Sequence, residues 1–422
     1  MRMNPNAINL SRLIPPRFSS RFPRGYVNNV AGWGIPSESL HGELPDGTKK
    51  LLTLDLDFGD TCRLSCPHCF RKSSLLDSGN AAPLSLDEYR EILSAAKDLG
   101  LESVKVLGAG EPFEEPLILE LLQLLSELHV QPAVFTKGHV LGSDALASRT
   151  FSHRGISTAE ELVSRLRDLQ VSILLGFNSF SHDEQDRFVG RQGHTMDGQR
   201  YSSLRDAALV RLFQAGFSDY REGQPTHLAL INAPLTPRTL SEAFSIYEWG
   251  RLRNIYTLAC PTTYSGLGRA ELHREKMNHD FQAYISDLED LYVKIYIWNI
   301  ETGLMTRTAF ELEGVSLYPG CHPCNQVAAG MYISRRGKIV RCPGRDDDQW
   351  VIATDVRESA LRDIWCGSEN YRLACLGKYN YHCIARDGIL FDSPASFYDS
   401  IKERVLDATS TISTNTTVRD ND

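Results

Sequence analysis

Six times along this chain a strand-like run gives way to a helix-like one, and this alternation narrows the fold more than any other feature. Leu51 to Phe58 (LLTLDLDF) alternates apolar and polar residues at the two-residue period of a strand. Ser103 to Leu107, Ala133 to Thr136, Val171 to Phe177, Thr226 to Ile231 and Ile255 to Ala259 repeat the strand signal. Between them, Ser85-Leu-Asp-Glu88 fits the capping box of a helix that Gly100 stops. A second helix is expected near Leu117 to Leu128. After a loop from Lys137 to Ile156, a third starts with Ser157 and Glu160 as its caps, and a fourth covers Tyr201 to Ala215. Such repeats without hairpins imply a parallel sheet wound by right-handed crossovers. Six repeats fall short of the eight in a closed barrel. The expected α/β architecture is therefore a partial (β/α)6 TIM-type barrel, with a doubly wound sheet as the alternative. Further on, Met277, Phe281, Tyr284, Ile285, Leu288 and Ile295 recur at helical spacing, as in a helix packed on the barrel.

The length of 422 residues leaves room for two or three domains, or for one barrel with extensions. With 42% hydrophobic and 23% charged residues, a wholly disordered or fibrous chain is excluded. A net charge of −8 argues against a globally basic nucleic-acid binder. No apolar run of about 18 residues occurs, so no membrane partner is expected. Residues 1–50 read as a basic arm. Up to Ser37 they hold no acid but carry Arg2, Arg12, Arg17, Arg21 and Arg24, a pattern shared with organellar transit peptides. Pro15, Pro16 and Pro23 would interrupt an amphipathic helix, which favours an arm lying over the domain. Residues 408–422, rich in Ser, Thr and Asn, read as a disordered tail.

The ten cysteines are clustered rather than spread, which suits metal ligation in a reducing cytoplasm better than a disulfide scaffold. Cys62-Arg-Leu-Ser-Cys66-Pro-His-Cys69 follows the first strand directly. Three thiolates at this C-x3-C-x2-C spacing can ligate three irons of a cubane cluster and leave the fourth iron open. Zinc, the structural alternative, takes four ligands in paired short spacings and fits an odd trio poorly. The position matters too, because parallel α/β folds place active sites at the carboxyl ends of their strands.

These residues, with aromatic His68 just before the last cysteine, resemble the signature of the radical S-adenosylmethionine (radical SAM) superfamily. The resemblance implies a partial six-stranded barrel over about 51–269. It also implies a 4Fe–4S cluster whose open iron is chelated by S-adenosylmethionine, and a 5′-deoxyadenosyl radical that takes hydrogen from substrate. Gly108-Ala-Gly110-Glu111-Pro112 resembles the family's GGEP turn. Its chemistry stands without the family: glycines admit a ligand close to the backbone, and a carboxylate binds an ammonium group. Cofactor-binding residues are thus expected at His68, Gly108, Gly110 and Glu111. Asn178 and Ser179, at the end of the fourth strand, match family cofactor contacts by position, although a turn role is open to them. Asn232 and Arg238 are weaker candidates.

A second cluster begins at Cys321-His-Pro-Cys324 and continues to Cys342, with 12 residues between Cys324 and Gly337 and four between Gly337 and Cys342. This resembles the opening of the SPASM and Twitch auxiliary-cluster domains, and a hairpin turning at Arg336-Gly337 would explain the spacing. A zinc knuckle is the alternative. The later cysteines depart from a full SPASM pattern, so one auxiliary 4Fe–4S cluster is expected, with Cys383 as its fourth ligand. Cys366 and Cys375 read as core thiols in a helical stretch, and Cys260 as a small buried core residue. The expected organisation is a helical connection over 270–310 and a small Cys-rich auxiliary-cluster region over 311–400.

The resemblance implies a radical SAM oxidoreductase that acts on a small molecule or peptide and is reduced by a flavodoxin- or ferredoxin-type partner. Only 50 residues precede Leu51, which leaves little room for a leader-binding module and favours a small-molecule substrate. A peptide or sulfatase maturase is one alternative. Another is the molybdopterin-biosynthesis cyclase, which uses GTP and whose Gly-Gly tail is missing here. The third is a non-catalytic iron–sulfur or zinc protein.

Overall fold

The computed structural model describes residues 10–35, 39–40, 42–77, 81–278, 280–321, 329–369, 371, 383, 386, 390–391 and 393–410. Its core is a run of parallel strands in chain order: β1 (Thr53–Leu56), β2 (Ser103–Val106), β3 (Gln131–Thr136), β4 (Ser172–Gly176), β5 (Leu228–Leu235) and β6 (Tyr256–Pro261). Helices connect them: α1 (Leu86–Asp98), α2 (Ile118–Glu127), α3 (Asp144–Phe151), α4 (Ala159–Asp168), α5 (His182–Phe188), α6 (Tyr201–Gln214) and α7 (Leu240–Arg251). The sheet stays open, as six repeats require. The doubly wound alternative is not realised, because strand order follows chain order without reversal.

The capping box of α1 forms as expected, with Glu88 N donating to Ser85 Oγ and Ser85 N to Glu88 Oε2. At α4 the cap is one residue later than expected: Thr158 is the N-cap and Glu161 completes the box. Glu161 Oε2 also accepts from the backbone and hydroxyl of Ser157, so one carboxylate serves two adjacent hydroxyl residues and the register cannot be told from spacing. The expected loop from Lys137 to Ile156 contains α3, a short helix capped by Ser143 whose polar sequence carries little periodicity.

Alternation in β1 and β2 sorts side chains between two environments. Leu54, Leu56, Val104 and Val106 join the apolar layer under the helices. Thr53, Asp55 and Lys105 face the barrel interior. There Lys105 Nζ lies 3.3 Å from Asp55 Oδ1, and Ser103 Oγ donates to Thr53 Oγ1 at 3.3 Å. The interior carries these polar groups at positions where a filled barrel would carry branched aliphatics.

After β6, α8 (Leu267–Lys276) and the long α9 (Phe281–Thr302) lead to α10 (Arg307–Glu313). The apolar stripe packs from Tyr284 onward: Tyr284, Leu288 and Ile295 are buried in a second core, and α9 lies on α7 and the last helix, α12 (Pro394–Ala408). Met277 falls outside that helix and is exposed.

The chain then returns to the sheet. β7 (Gly330–Ile333) pairs parallel with β1 on the edge opposite β2, and β8 (Ile339–Val340) and β9 (Val351–Ala353) extend that edge antiparallel. The β7–β8 hairpin turns at Arg336-Gly337 as expected, with Gly337 at φ +86°, a conformation that favours glycine. The two edges of the open sheet meet beyond the strands at a parallel bridge between Tyr264 and Arg345. α11 (Leu361–Gly367) follows, and Cys366 on it is exposed rather than a core thiol. Residues 10–35 lie on the barrel, with Leu10, Ile14 and Val30 buried. Cys324, Cys375 and the tail beyond Ser410 lie outside the described residues.

Asp57, just past β1, holds these parts together. Its carboxylate takes a bidentate fork from Arg71 and a hydrogen bond from Tyr332 of β7, and its carbonyl accepts from Tyr89 of α1. Removing one partner of a buried pair leaves a charge unmatched, at about 3–5 kcal/mol. Asp57→Asn should therefore lower stability by about that much, while Tyr332→Phe costs about 1 kcal/mol. Urea midpoints at unchanged m-value measure both.

Candidate active site

The loop carrying the first cysteines leaves β1 at its carboxyl end and is pressed into place by glycines. Glu111 N donates to Thr61 O, and Gly110 N to Gly59 O, so the turn after β2 lies flat on the start of the loop. A Cβ on Gly110 would stand 2.3 Å from Thr61 O. Gly190 meets Ser65 O in the same way, where Ser65 N donates to Val189 O. Backbone rather than flexible side chain fills that space, which is why glycine is required.

This packing brings Cys62, Cys66, Cys69 and His68 to one cavity of about 580 Å³ at the carboxyl ends of the strands, with Gly108, Gly110 and Glu111 on its wall. Burial and then Glu111 raise Cys62 to about 12, and burial raises Cys66 against the opposing pull of Lys137. Among the described residues no three His, Cys, Asp or Glu side chains converge on a single metal ion.

His68 packs against Phe188 with ring centroids 3.9 Å apart. Burial, aided by Lys137, pushes it down to about 3, so the imidazole is neutral. Its buried Nε2 has no hydrogen-bond partner among the described residues. An orphaned polar atom beside three thiols fits a site completed by a bound group.

Glu111 is buried, and its carboxylate accepts from Thr136 Oγ1 at 2.5 Å and Lys137 N at 2.8 Å. Burial raises its pKa, and His139 opposes this. Two lone-pair positions remain for a ligand on a carboxylate so bonded. Behind it, Glu114 accepts from Arg63 N at 3.2 Å and meets His139 Nε2 at 2.6 Å, tying the residue after Cys62 to the helix side.

Asn178 and Ser179 are not brought to this cavity. Ser179 Oγ donates to Glu242, Asn178 Nδ2 donates to Ala233 O, and both backbone amides bond Gln185, so these residues knit β4 to α5 and α7. Asn232 points away from the lining residues Ile231 and Ala233, and Arg238 is exposed beside Glu184. Among the cations that line the cavity is Lys137, which follows β3 and was not singled out by sequence. It forms no ion pair among the described residues. A Cβ on Gly176 would meet its Nζ at 3.0 Å, so the glycine at the end of β4 makes its room. The signal available was its position at a strand's carboxyl end.

The second cysteine group is divided. Cys342 and Cys383 line the cavity wall, and Gly344 N donates to Cys342 Sγ at 3.4 Å. Cys321 is buried behind β6, donating to Thr257 O and accepting from Arg251 Nη2 at 3.1 Å. Cys260 also lines the cavity.

An open parallel barrel with a three-thiol loop at its mouth defines the class of α/β protein. Residues 56–207, just over a third of the chain, match the model of the Radical SAM superfamily. Its members are enzymes that use S-adenosylmethionine and a 4Fe–4S cluster. Two curated relatives are GTP 3′,8-cyclases. That of Alkaliphilus oremlandii is 26% identical over 81 residues, 19% of this chain and 25% of its own. That of Desulforamulus reducens is 29% identical over 73 residues, 17% of this chain and 22% of its own. The chain thus spans about a quarter of the length of the curated relatives it matches. Among solved structures, Streptococcus suis SuiB superposes with a TM-score of 0.48 at 18% identity, over 83% of this chain and 77% of that one.

Gly110→Ala should fold yet lose iron from the Cys62 loop, because the added carbon displaces Thr61 backbone. Gly367→Ala, where a Cβ meets nothing within 4 Å, should keep it. Iron content after anaerobic reconstitution compares the two.

Proposed function

We propose that Cys62, Cys66 and Cys69 hold the 4Fe–4S cluster and that the cavity above them binds S-adenosylmethionine and a small-molecule or peptide substrate. The observation that carries this is the meeting of the thiol loop and the Gly108-to-Pro112 turn on one cavity of about 580 Å³, within the range of small-molecule sites. A cluster held by these three thiols would supply the electron for reductive cleavage of S-adenosylmethionine, and the cleaved cofactor would serve to abstract hydrogen from substrate. The chain's own contribution is positioning. Glu111 accepts from the cofactor's ammonium, and Lys137 on the neighbouring strand end offers a cation to its carboxylate. His68, neutral and packed on Phe188, supports the loop beside the cluster. The remaining wall, from Lys105 and Asp55 to Trp33 and Phe135, is left for the substrate.

Residues 51–269 form the catalytic barrel in this reading, 311–400 an auxiliary-cluster region of SPASM or Twitch type, and the reaction is an oxidation. A flavodoxin- or ferredoxin-type protein supplies reductant in the cytoplasm; no helix among the described residues is long and apolar enough to cross a membrane. The local identity to two GTP cyclases supports a second reading, a cyclase acting on GTP. Incubation with GTP under reducing conditions separates the two, because only the cyclase reading expects GTP to be consumed.

Replacing Cys62, Cys66 or Cys69 by Ala should abolish formation of 5′-deoxyadenosine, since each removes one of three protein ligands. Retained product in any single variant overturns the assignment. Glu111→Gln and Lys137→Met should each weaken S-adenosylmethionine binding by about 1.5–3 kcal/mol, the range for a hydrogen bond to a charged group. Ser179→Ala should leave affinity unchanged. Equilibrium binding to the reconstituted protein checks all three.

A further inference from the structure

Arg386 is 3% exposed, and among the described residues no carboxylate pairs with it. Its Nε and Nη2 donate to Pro261 O at 2.9 and 2.7 Å, which fixes the guanidinium against the end of β6. The remaining donors reach two sulfurs: Nη2 lies 3.2 Å from Cys260 Sγ, and Nη1 lies 3.5 Å from Cys383 Sγ. A buried cation without a counter-ion is costly. Here the nearest groups able to become anionic are these two thiols, and both stand on the cavity wall.

The seam of the open sheet brings a third thiol to the same place. The bridge between Tyr264 and Arg345 is parallel and joins the chain three residues after Cys342 to the chain four residues after Cys260. Asp346 holds this seam, accepting from Gly266 N at 3.1 Å and from Leu75 N at 3.0 Å. Cys342, Cys383 and Cys260 come from three distant parts of the sequence, yet all line the one cavity. Spacing cannot reveal such a set. Cys260 stands alone in sequence and reads as an ordinary core residue.

We infer that Cys260 is a thiolate ligand, with Cys342 and Cys383, of the second iron–sulfur cluster, and that Arg386 is the fixed counter-charge for this ligand set. The inference rests on the reading above that a second cluster is present, and it adds a ligand outside the motif. On ligation each thiol loses its proton to water as its sulfur–iron bond forms, and the buried guanidinium then faces anionic sulfur. Arg386 donates to both Cys260 and Cys383, as a group that positions ligands does. Arg251 repeats the device behind β6: it is wholly buried, has no carboxylate among the described residues, and donates to Cys321 Sγ.

The test uses the full chain with Cys62, Cys66 and Cys69 all replaced by Ala, reconstituted anaerobically with iron and sulfide. About four irons per chain should remain, with the electron paramagnetic resonance signal of one reduced cluster. Adding Cys260→Ser, which keeps the side chain's size, should cut the iron several-fold or change the signal. Adding Cys366→Ser, on the exposed helix α11, should do neither. An unchanged iron content and signal in the Cys260→Ser variant overturns the inference and leaves the second cluster standing. No iron in the triple variant overturns both. If the Cys260→Ser chain fails to fold, the native thiol is read instead: iodoacetamide should label Cys260 in metal-stripped protein and not in iron-loaded protein. Equal labelling in the two states overturns the inference.

Discussion

The buried pair of Asp57 and Arg71 is the interaction on which the arrangement of the site depends. Arg71 lies two residues beyond Cys69, and Asp57 sits where β1 ends, so the pair fixes the far end of the cysteine loop to the strand from which it starts. Tyr332 and Tyr89 bring β7 and α1 to the same carboxylate. A buried ion pair is a weak source of net stability, because desolvation offsets most of the attraction. What it supplies is geometry, since any other position of the loop leaves two charges unmatched in a dry environment. Asp346 acts similarly one turn further on, where it binds Leu75 N and pairs with Arg269. Two carboxylates from distant strands therefore set the path of one loop.

The second constraint is the polarity of the barrel's inner face. Thr53, Asp55, Lys105 and Thr136 point inward where a filled barrel would have valine or isoleucine. The space they leave carries these polar groups on a wall that is mostly apolar, with Trp33, Phe135 and Leu174 among its residues. Trp33, from the N-terminal arm, stands 5.4 Å over Lys105 and holds that ammonium near Asp55. Charge in a cavity of low dielectric interacts strongly, so these few groups dominate the field that any bound molecule meets.

The barrel was legible because its signals are local. Alternation in Leu51 to Phe58, the capping box at Ser85 and the turn at Arg336-Gly337 each act within a few residues, and the structure follows them. Short polar helices were missed where capping rather than periodicity makes them, as at Ser143 and Ser181. For the site, the Cys62 loop and the Gly110 turn could be read because their chemistry is written in consecutive residues. Asn178 and Ser179 could not be placed by position alone: the hydrogen-bond partners that turn them away, Gln185 and Glu242, come from neighbouring helices. Lys137 was hidden for the same reason in reverse, as its role depends on a glycine on the next strand. Cys260 and Cys383 are joined by hydrogen bonds from one buried arginine near the far end of the chain, which no spacing in the sequence announces.

One consequence lies in the pairing of β1 with β7. Thr53 pairs with Gly330, so the first strand of the barrel receives its second neighbour from a segment made long after it. Pairings of such large separation form slowly, and domains assemble from the N-terminus during synthesis. Until Gly330 to Ile333 arrive, β1 keeps a bare edge, and Arg71 and Asp57 lack Tyr332. The nascent cysteine loop is thus complete in sequence well before it is held in shape. The matched segment, residues 56–207, begins inside β1 and ends before β5 and β6. It stops short of the last two strands of the barrel, so the cysteine loop takes its final shape at the end of folding rather than at its beginning.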